Sequence, residues 1–431
     1  MQLATNRELR LEIFFPLLAL VCLLSSLYFS LVTAPAGFGA AAPTVEQGLF
    51  PEWLGCREIL RGRDPYREEI TRESQAAIGA HQINGAPAPR NQHRFAYPVL
   101  FAVPMAPLAV LPFAWAQRVA LFSGVLLTVA SVFLWLPREM LGYSRRLICL
   151  LLVFASYPFV LAAQLRQPTL LIAGLLAAAV YSFRSDRLAA AGILAAVCCS
   201  KPQLAIAVLL PLSVASLADW KRHRAFVLSF AATLGTLLLV SEAAVPHWLP
   251  QWVSTIRAYS HYAGSQPLLL DLLHGHLLVP AYLLLVGAAV YVSVRFHAAD
   301  LLFTVSFSAA TFQLLFPFQI YNEVMLLPAA LWMAGKASEI KSRGQFATLI
   351  WSCTWIVVGS GWASAVALSL AGFTAPHRLP VLWQAPLLAC YLYPFAVGAV
   401  MVVYAATSPE RTSAANRAPR AFPALLKGSA Q

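Results

Sequence analysis

Carboxylates that could act as an acid or a base are concentrated in one hydrophilic stretch, residues 46–97. Glu52, Glu58 and Asp64 are the candidates, because a carboxylate can take the proton of an attacking hydroxyl group. Glutamates interleaved with arginines are also typical of a salt-bridged surface helix, which is the better interpretation of Glu58. Asp64 precedes a proline and a tyrosine, an order that equally predicts an Asx turn. Glu52 and Asp64 therefore remain as the predicted catalytic residues.

Cations that could bind a phosphate group occur at two places. Lys201 interrupts the apolar stretch CCSKPQLA, and the proline after it begins a new helix whose free N–H groups favour an anion. The alternative is a lysine that extends to the membrane interface. His93 and Arg94 directly precede an apolar segment, and a guanidinium binds phosphate through two hydrogen bonds. Solvated loop charges are the alternative for these two.

Amide and aromatic side chains near the ends of several apolar runs could form a rim that binds a sugar. The predicted substrate-binding residues are Tyr66, His93, Arg94, Tyr97, Gln164, Gln167, Lys201, Gln203, Gln319, Tyr321, Asn322 and Glu323. For Asn322 a structural helix cap is the alternative. The seven cysteines show neither a Cys-x-x-Cys pair nor a His/Cys ligand spacing, so we predict no metal site and expect no cofactor.

The rest of the chain is apolar enough to span a membrane repeatedly. Of its 431 residues, 59% are hydrophobic and 11% are charged, and apolar runs recur near the ~20 residues that cross a bilayer as a helix. Backbone groups in lipid must be satisfied within the segment, which predicts helices. We therefore predict an all-α polytopic membrane protein of about twelve transmembrane helices. Residues 1–407 form one domain, and residues 408–431 form a disordered tail.

The formal net charge of +12 is better explained by basic cytoplasmic loops than by nucleic-acid binding. With a cytoplasmic N-terminus, the clusters of arginine and lysine fall inside and isolated cations fall outside. Residues 34–97 then form a long first extracytoplasmic loop with an amphipathic helix, and the polar candidates gather on that outer side. Four prolines in residues 98–113 favour a re-entrant segment. Both termini are predicted to be cytoplasmic, in a bacterial-type plasma membrane.

Five stretches of the chain resemble glycosyltransferase family 87, the polyprenol-phosphate-mannose-dependent mannosyltransferase-like proteins. They are FPEWLGCREILRGRDPY (50–66), NQHRFAYPVLFAVPMAPLAVLP (91–112), QLRQPTLLIAGLL (164–176), CCSKPQLAIAVLLPL (198–212) and, more weakly, PFQIYNEVMLLP (317–328). Their order and spacing follow the family pattern. The resemblance implies the GT-C membrane fold, an active site outside the cytoplasm, a lipid-phosphate-sugar donor, inverting transfer and no obligatory metal.

The resemblance also implies a catalytic Asp shortly before the LG-REIL-type helix, where this chain has Gly48. Glu46, Glu52 or Asp64 would replace that acid, with Glu52 favoured because it lies one helical turn further on; otherwise the protein is an inactive relative. The implied reaction transfers a hexose, mannose in the first instance, from a polyprenyl-phosphate sugar to an extracytoplasmic glycolipid or glycan acceptor. A transporter or lipid flippase is the main alternative. Clustering of the polar groups at one membrane face favours the enzyme.

Overall fold

The computed structural model describes residues 14, 16–25, 45–77, 93–136, 143–262, 267–268, 273, 275–317, 319–374 and 384–408. Throughout these ranges the chain forms α- and 3-10 helices and no β-strand, which confirms the all-α prediction for this part of the chain. Nearly all of the predicted tail, and residues 34–44 and 78–92 of the predicted long loop, lie outside the described residues.

The described helices are numbered in chain order. In chain order they are α1 (Pro16–Ser25), α2 (Val45–Leu60), α3 (Glu68–Ala77), α4 (Val99–Ala109), α5 (Phe113–Trp135), α6 (Tyr143–Ala155), α7 (Tyr157–Gln164), α8 (Thr169–Arg184), α9 (Leu188–Cys198), α10 (Pro202–Ala218), α11 (Trp220–Ala244), α12 (Trp248–Tyr262), α13 (Leu278–Phe296), α14 (Leu301–Leu315), α15 (Leu327–Gly335), α16 (Ala337–Lys341), α17 (Gln345–Thr374) and α18 (Gln384–Thr407). Two 3-10 helices, Gly275–Leu277 and Ile320–Leu326, precede α13 and α15.

Among the described residues, five helices are long and apolar enough to cross a membrane: α5, α11, α13, α17 and α18. A sixth span results if α6 and α7, which meet at a bend of 60°, form one broken span. The apolar helices α8, α9, α10 and α14 have 16, 11, 17 and 15 residues. Even the longest of them extends only about 26 Å, against a hydrocarbon core ~30 Å thick. The chain is an integral membrane protein, while the number of about twelve spans stays a prediction.

The predicted amphipathic helix of the long loop is present as α2, and it packs into the protein. Trp53 and Ile59 are buried, whereas Leu60, predicted to share their apolar face, is 50% exposed. The indole N–H of Trp53 donates to the carbonyl oxygen of Leu111 at 3.1 Å. This hydrogen bond ties α2 to the turn between α4 and α5, so α2 has a fixed position relative to the membrane helices.

The segment predicted to be re-entrant, residues 98–113, folds as α4 and the turn that follows it. At 1.5 Å per residue, α4 extends about 16 Å, roughly half the thickness of the hydrocarbon core. Pro98 precedes the first turn and Pro112 precedes α5, positions where the missing N–H of proline breaks no helical hydrogen bond. This length excludes a straight span, and the side of the membrane on which the segment lies stays a prediction.

The central helix of the larger core is α14, in which every residue from Leu302 to Leu315 is buried. Helices α10, α13, α15 and α18 pack around it. The 3-10 helix that follows α14 contacts the start of α8, and α10 begins beside the same place. The break before α8, the break before α10 and this 3-10 helix therefore meet at one end of the core, where the candidate site lies.

Candidate active site

Lys201 is buried at the break between α9 and α10, with 2% of its surface exposed. Cys198 ends α9 and Pro202 begins α10, so the lysine lies between two helix ends. Its Nζ atom donates a hydrogen bond to Thr169 Oγ1, and the Thr169 hydroxyl donates to Asn322 Oδ1 at 3.0 Å. The break within CCSKPQLA thus places an amine inside the protein, against the first residue of α8.

Two tyrosine rings flank this amine. The Nζ atom of Lys201 lies 5.9 Å from the ring centre of Tyr97 and 5.2 Å from that of Tyr321. At these distances a ring face attracts a cation. Tyr97 stacks on Phe101 with ring centres 4.0 Å apart, and its carbonyl oxygen accepts a hydrogen bond from the Tyr66 hydroxyl at 2.7 Å. Of the predicted substrate-binding residues, Tyr97 and Tyr321 face Lys201, while Tyr66 holds Tyr97.

Glu52, in the middle of α2, interacts electrostatically with Lys201. The residue is half-buried, and its Oε2 atom is shielded from solvent and accepts no hydrogen bond from the described residues. Burial raises the pKa of Glu52 to about 8, against a backbone hydrogen bond and the charge of Lys201, which both lower it. A carboxyl group whose pKa lies near neutral pH is suited to accept a proton from a substrate hydroxyl.

The pKa of the Lys201 amine is shifted in the opposite direction. Burial lowers the pKa of Lys201 to about 7, and the charge of Glu52 raises it in part. Each charged form therefore stabilises the other, and the two groups titrate as a pair near neutral pH. An anion bound beside Lys201 would favour its ammonium form. The arrangement combines a base with a cation that could stabilise a negatively charged leaving group.

Gly48 lies one turn before Glu52 and has no room for a side chain. A Cβ atom there would lie 2.4 Å from the carbonyl oxygen of Leu165 and 2.7 Å from its Cβ. The carbonyl oxygen of Gly48 accepts a hydrogen bond from Gln167 Nε2 at 3.1 Å. The position that the resemblance aligns with a catalytic Asp is therefore a helix contact in this chain, and the nearby carboxylate is that of Glu52.

Asp64 makes its hydrogen bonds within the loop and with α12. Its Oδ1 atom accepts the backbone N–H of Tyr66 at 3.0 Å, which is the Asx turn that was its structural alternative. In the amide orientation that satisfies both groups, Gln251 donates to the two carboxylate oxygens at 3.1 and 3.0 Å. These contacts hold Asp64 against α12, whereas Glu52 interacts electrostatically with Lys201. A catalytic role of Asp64 stays a prediction.

Other charged residues of the loop pair with one another. Glu58 pairs with Arg61 and Arg63 at 2.8 and 2.9 Å, as the interleaved charges predict, but it is fully buried and does not lie on a helix surface. Arg94 pairs with Glu68 at 3.1 Å, and both side chains are partly exposed. One of the predicted phosphate-binding cations thus already has an acidic partner.

His93 is 7% exposed, and its backbone is in the left-handed region with φ of +50°. Burial lowers the pKa of His93 to about 4. The ring is therefore neutral at pH 7, so it can offer a hydrogen bond to a phosphate but no positive charge. A phosphate contact by His93 stays a prediction, as a hydrogen bond from a neutral ring.

The residues joined to the Lys201 amine form the Lys201 cluster: Lys201, Thr169, Asn322, Gln313, Tyr97 and Tyr321. Of the predicted amides, Asn322 belongs to this cluster. Gln164 ends α7, Gln319 precedes the 3-10 helix, and both are half-buried. Gln203 lines a small cavity between α10 and α14, together with Gln313 and Asn322. The Oδ1 atom of Asn322 accepts a hydrogen bond from the Thr169 hydroxyl, so Asn322 acts on Lys201 through Thr169. Sugar contacts by these amides stay predictions.

Two members of the cluster were missed by sequence reasoning. Thr169 accepts the hydrogen bond of Lys201, and Gln313 donates from Nε2 to the carbonyl oxygen of Asn322 at 2.8 Å. Gln313 is 8% exposed within a buried helix, and a lone amide in an apolar run was the one signal that could have revealed it. A threonine after a proline carries no comparable signal.

Glu323 lies apart from the polar cluster, in the wall of a large apolar groove. The groove is lined by residues of α5–α8, α15, α17 and α18. Burial raises the pKa of Glu323 well above its usual range, and its carboxyl group interacts electrostatically with the thiol of Cys390. Leu170 and Glu323 line this groove, and each directly follows a cluster residue, Thr169 and Asn322. The groove therefore adjoins the Lys201 cluster.

Comparison with known proteins identifies the family. The model of glycosyltransferase family 87 matches residues 95–317, more than half of the chain. This match includes Tyr97, Thr169 and Lys201, and it begins after Glu52 and ends before Tyr321. No curated protein and no solved structure matches the chain in the corresponding comparisons. The chain belongs to glycosyltransferase family 87 and is a membrane glycosyltransferase.

Proposed function

We propose that the protein transfers a hexose, mannose in the first instance, from a polyprenyl-phosphate sugar to a hydroxyl group of a glycolipid or glycan. The observation that carries the proposal is the buried Lys201 amine, which is bonded to Thr169, flanked by Tyr97 and Tyr321 and in electrostatic interaction with Glu52. A buried amine between two tyrosine rings is suited to hold a phosphate. The carboxyl group of Glu52 is suited to act on the attacking hydroxyl.

The reaction is a single displacement at the anomeric carbon. Glu52 takes the proton of the acceptor hydroxyl as its oxygen forms a bond to the sugar. The bond between the anomeric carbon and the phosphate oxygen breaks, and its electron pair leaves with the polyprenyl phosphate. Lys201 stabilises the negative charge that develops on that phosphate, so a separate general acid is not required. Attack opposite to the leaving group inverts the configuration of the sugar.

The apolar groove is a suitable place for the lipid chain of the donor. Its lining is almost entirely apolar, and it adjoins the Lys201 cluster through Thr169–Leu170 and Asn322–Glu323. A chain lying there would bring its phosphate toward Lys201 and its sugar toward the amide side chains. Gln164, Gln167, Gln203 and Gln319 would then orient the sugars by hydrogen bonds. Within this proposal Glu323 contacts the lipid end of the donor, since it lines the groove.

The proposed side of action is outside the cytoplasm. The distribution of arginine and lysine along the chain favours cytoplasmic termini and an outer position for the loop that carries Glu52. Nucleotide sugars are made in the cytoplasm, so a lipid-linked donor suits this orientation. A transporter would need its polar groups along a path through the membrane. Here Lys201 lies between two helix ends and is flanked by Tyr97 and Tyr321, and it interacts electrostatically with Glu52 in the middle of α2.

The donor class is tested with purified protein in phospholipid vesicles. Polyprenyl-phosphate mannose, polyprenyl-phosphate glucose and a nucleotide-linked mannose are supplied in turn, each radiolabelled in the sugar, with an extract of membrane glycolipids as acceptor. Label is expected in the glycolipid fraction from a polyprenyl-phosphate sugar and not from the nucleotide sugar. Transfer from the nucleotide sugar alone would refute the proposed donor. A folded protein that transfers sugar from none of these donors would support the alternative that it is an inactive relative.

A further inference from the structure

The hydroxyl group of Thr169 differs in its bonding from several other buried hydroxyl groups of the chain. Those of Thr128, Thr311, Ser216 and Ser293 donate to a carbonyl oxygen four residues earlier in the same helix. Thr169 is the first residue of α8, so no helical carbonyl precedes it at that spacing. Its hydroxyl group instead joins two other segments of the chain.

The bonds of Thr169 form a directed chain. The amine of Lys201 donates to its oxygen, and its own proton is donated to Asn322 Oδ1 at 3.0 Å. Asn322 is fixed in turn, since its carbonyl oxygen accepts from Gln313 Nε2 at 2.8 Å. Within the part of the chain that the structure describes, Thr169 Oγ1 is the hydrogen-bond acceptor of the Lys201 amine. Lys201, Thr169, Asn322 and Gln313 are each at most 8% exposed, so the acceptor is shielded from bulk water.

We propose that Thr169 is a positioning residue, which holds the Lys201 amine between Tyr97 and Tyr321 and keeps it charged. Asn322 orients the Thr169 hydroxyl so that an oxygen lone pair is presented to the amine. The importance of this contact for sugar transfer rests on the proposed function, in which Lys201 binds the donor phosphate. The effect of Thr169 on the charge of Lys201 stands on the geometry alone.

A loss of the hydroxyl group has a predictable direction. The groups that face Lys201 are the carboxyl group of Glu52 and the rings of Tyr97 and Tyr321. In Thr169→Val these remain, while the amine loses the acceptor that stabilises its protonated form. The amine pKa therefore falls, and the expected shift is about one pH unit or more, the size of a hydrogen bond to a charged group.

Lysine NMR can measure this shift directly, without any turnover. The chain has five lysines, Lys201, Lys221, Lys336, Lys341 and Lys427, so protein labelled with ¹³C at lysine Cε gives few signals in detergent micelles. The Lys201 signal is assigned by its absence from Lys201→Met. The pH titration of that signal is then compared in wild type, Thr169→Val, Thr169→Ala and Thr169→Ser. Thr311→Val, which removes a buried hydroxyl bonded within its own helix, is the control.

The proposal predicts a lowered Lys201 pKa in Thr169→Val and Thr169→Ala, and a value near wild type in Thr169→Ser and Thr311→Val. An unchanged pKa in both Thr169→Val and Thr169→Ala would overturn it, and so would an equal fall in Thr311→Val. Thr169→Ala introduces no added bulk, so it serves where the valine variant does not fold. If the pKa falls as predicted but the wild type transfers no sugar, the proposed function fails and the positioning role stands.

Discussion

Adding a methyl group at Gly48 should both destabilise the protein and reduce its activity. In Gly48→Ala the new Cβ would lie 2.4 Å from the carbonyl oxygen of Leu165, so α2 must move away from the turn between α7 and α8. Overpacking of this kind costs about 1–3 kcal/mol, and weakening the hydrogen bond from Gln167 costs about 0.5–1.5 kcal/mol. The helix preference of alanine returns at most ~1 kcal/mol. The net expectation is a loss of about 1–3 kcal/mol.

The same movement displaces Glu52 from Lys201. Since a misplacement of ~1 Å can cost about 100-fold in rate, transfer per folded molecule should fall at least tenfold. The assay is thermal unfolding in detergent, followed by tryptophan fluorescence, together with sugar transfer in vesicles. Gly235→Ala is the matched control, because no atom lies within 4 Å of its added Cβ, and it should be neutral or slightly stabilising. Unchanged stability and activity in Gly48→Ala, or a gain of activity in Gly48→Asp, would refute this interpretation of position 48.

Two further predictions concern the charged groups. Transfer at limiting donor (kcat/KM) should follow a narrow bell between about pH 7 and pH 8, since Glu52 must lose its proton and Lys201 must keep its own; a pH profile that is flat from 6 to 9 would contradict it. Glu58→Gln should lower the free energy of unfolding by about 1–2 kcal/mol, less than a fully buried pair because Arg61 and Arg63 are half exposed. Its thermal midpoint should fall while Glu69→Gln stays at the wild-type value, and equal midpoints would refute that estimate.

The closeness of several site residues was predictable, because prolines in the sequence indicate where helices begin. Pro202 follows Lys201, and Pro168 follows Gln167, so both polar residues had to lie at helix ends. Helix ends at one membrane face are brought together by the bundle, and Lys201 does meet Tyr97 and Tyr321. The inference from the sequence used alternation of helix direction across a bilayer, and that topology stays a prediction.

Other features depend on tertiary contacts that no local pattern records. Thr169 acts through a residue 32 positions later, and Gln313 through the backbone of the 3-10 helix. Gly48 could be interpreted from the sequence as a missing acid, whereas the contact with Leu165 provides a packing reason for the glycine. Both interpretations fit a glycine at this position, and only the contact with Leu165 in the turn between α7 and α8 distinguishes them.

The number of spans was the least predictable feature of the fold. Apolar runs were interpreted as full spans, but several contain breaks that shorten the helices. The run at 147–163 bends by 60° at Ser156, where the backbone is extended before the proline of α7. Hydrophobicity reports burial in lipid or in protein alike, so α14, buried over almost its whole length, has the same composition as a lipid-facing span.

The most direct test of the account compares Glu52→Gln with Asp64→Asn and Lys201→Ala in the vesicle assay with the labelled polyprenyl-phosphate sugar. Glu69→Gln and Lys221→Ala, at exposed positions, are the matched controls. If Glu52 is the base and Lys201 binds the phosphate, these two variants should lose transfer by about 100-fold or more, while Asp64→Asn and the controls retain most of it. Full transfer by a folded Glu52→Gln would contradict the central claim.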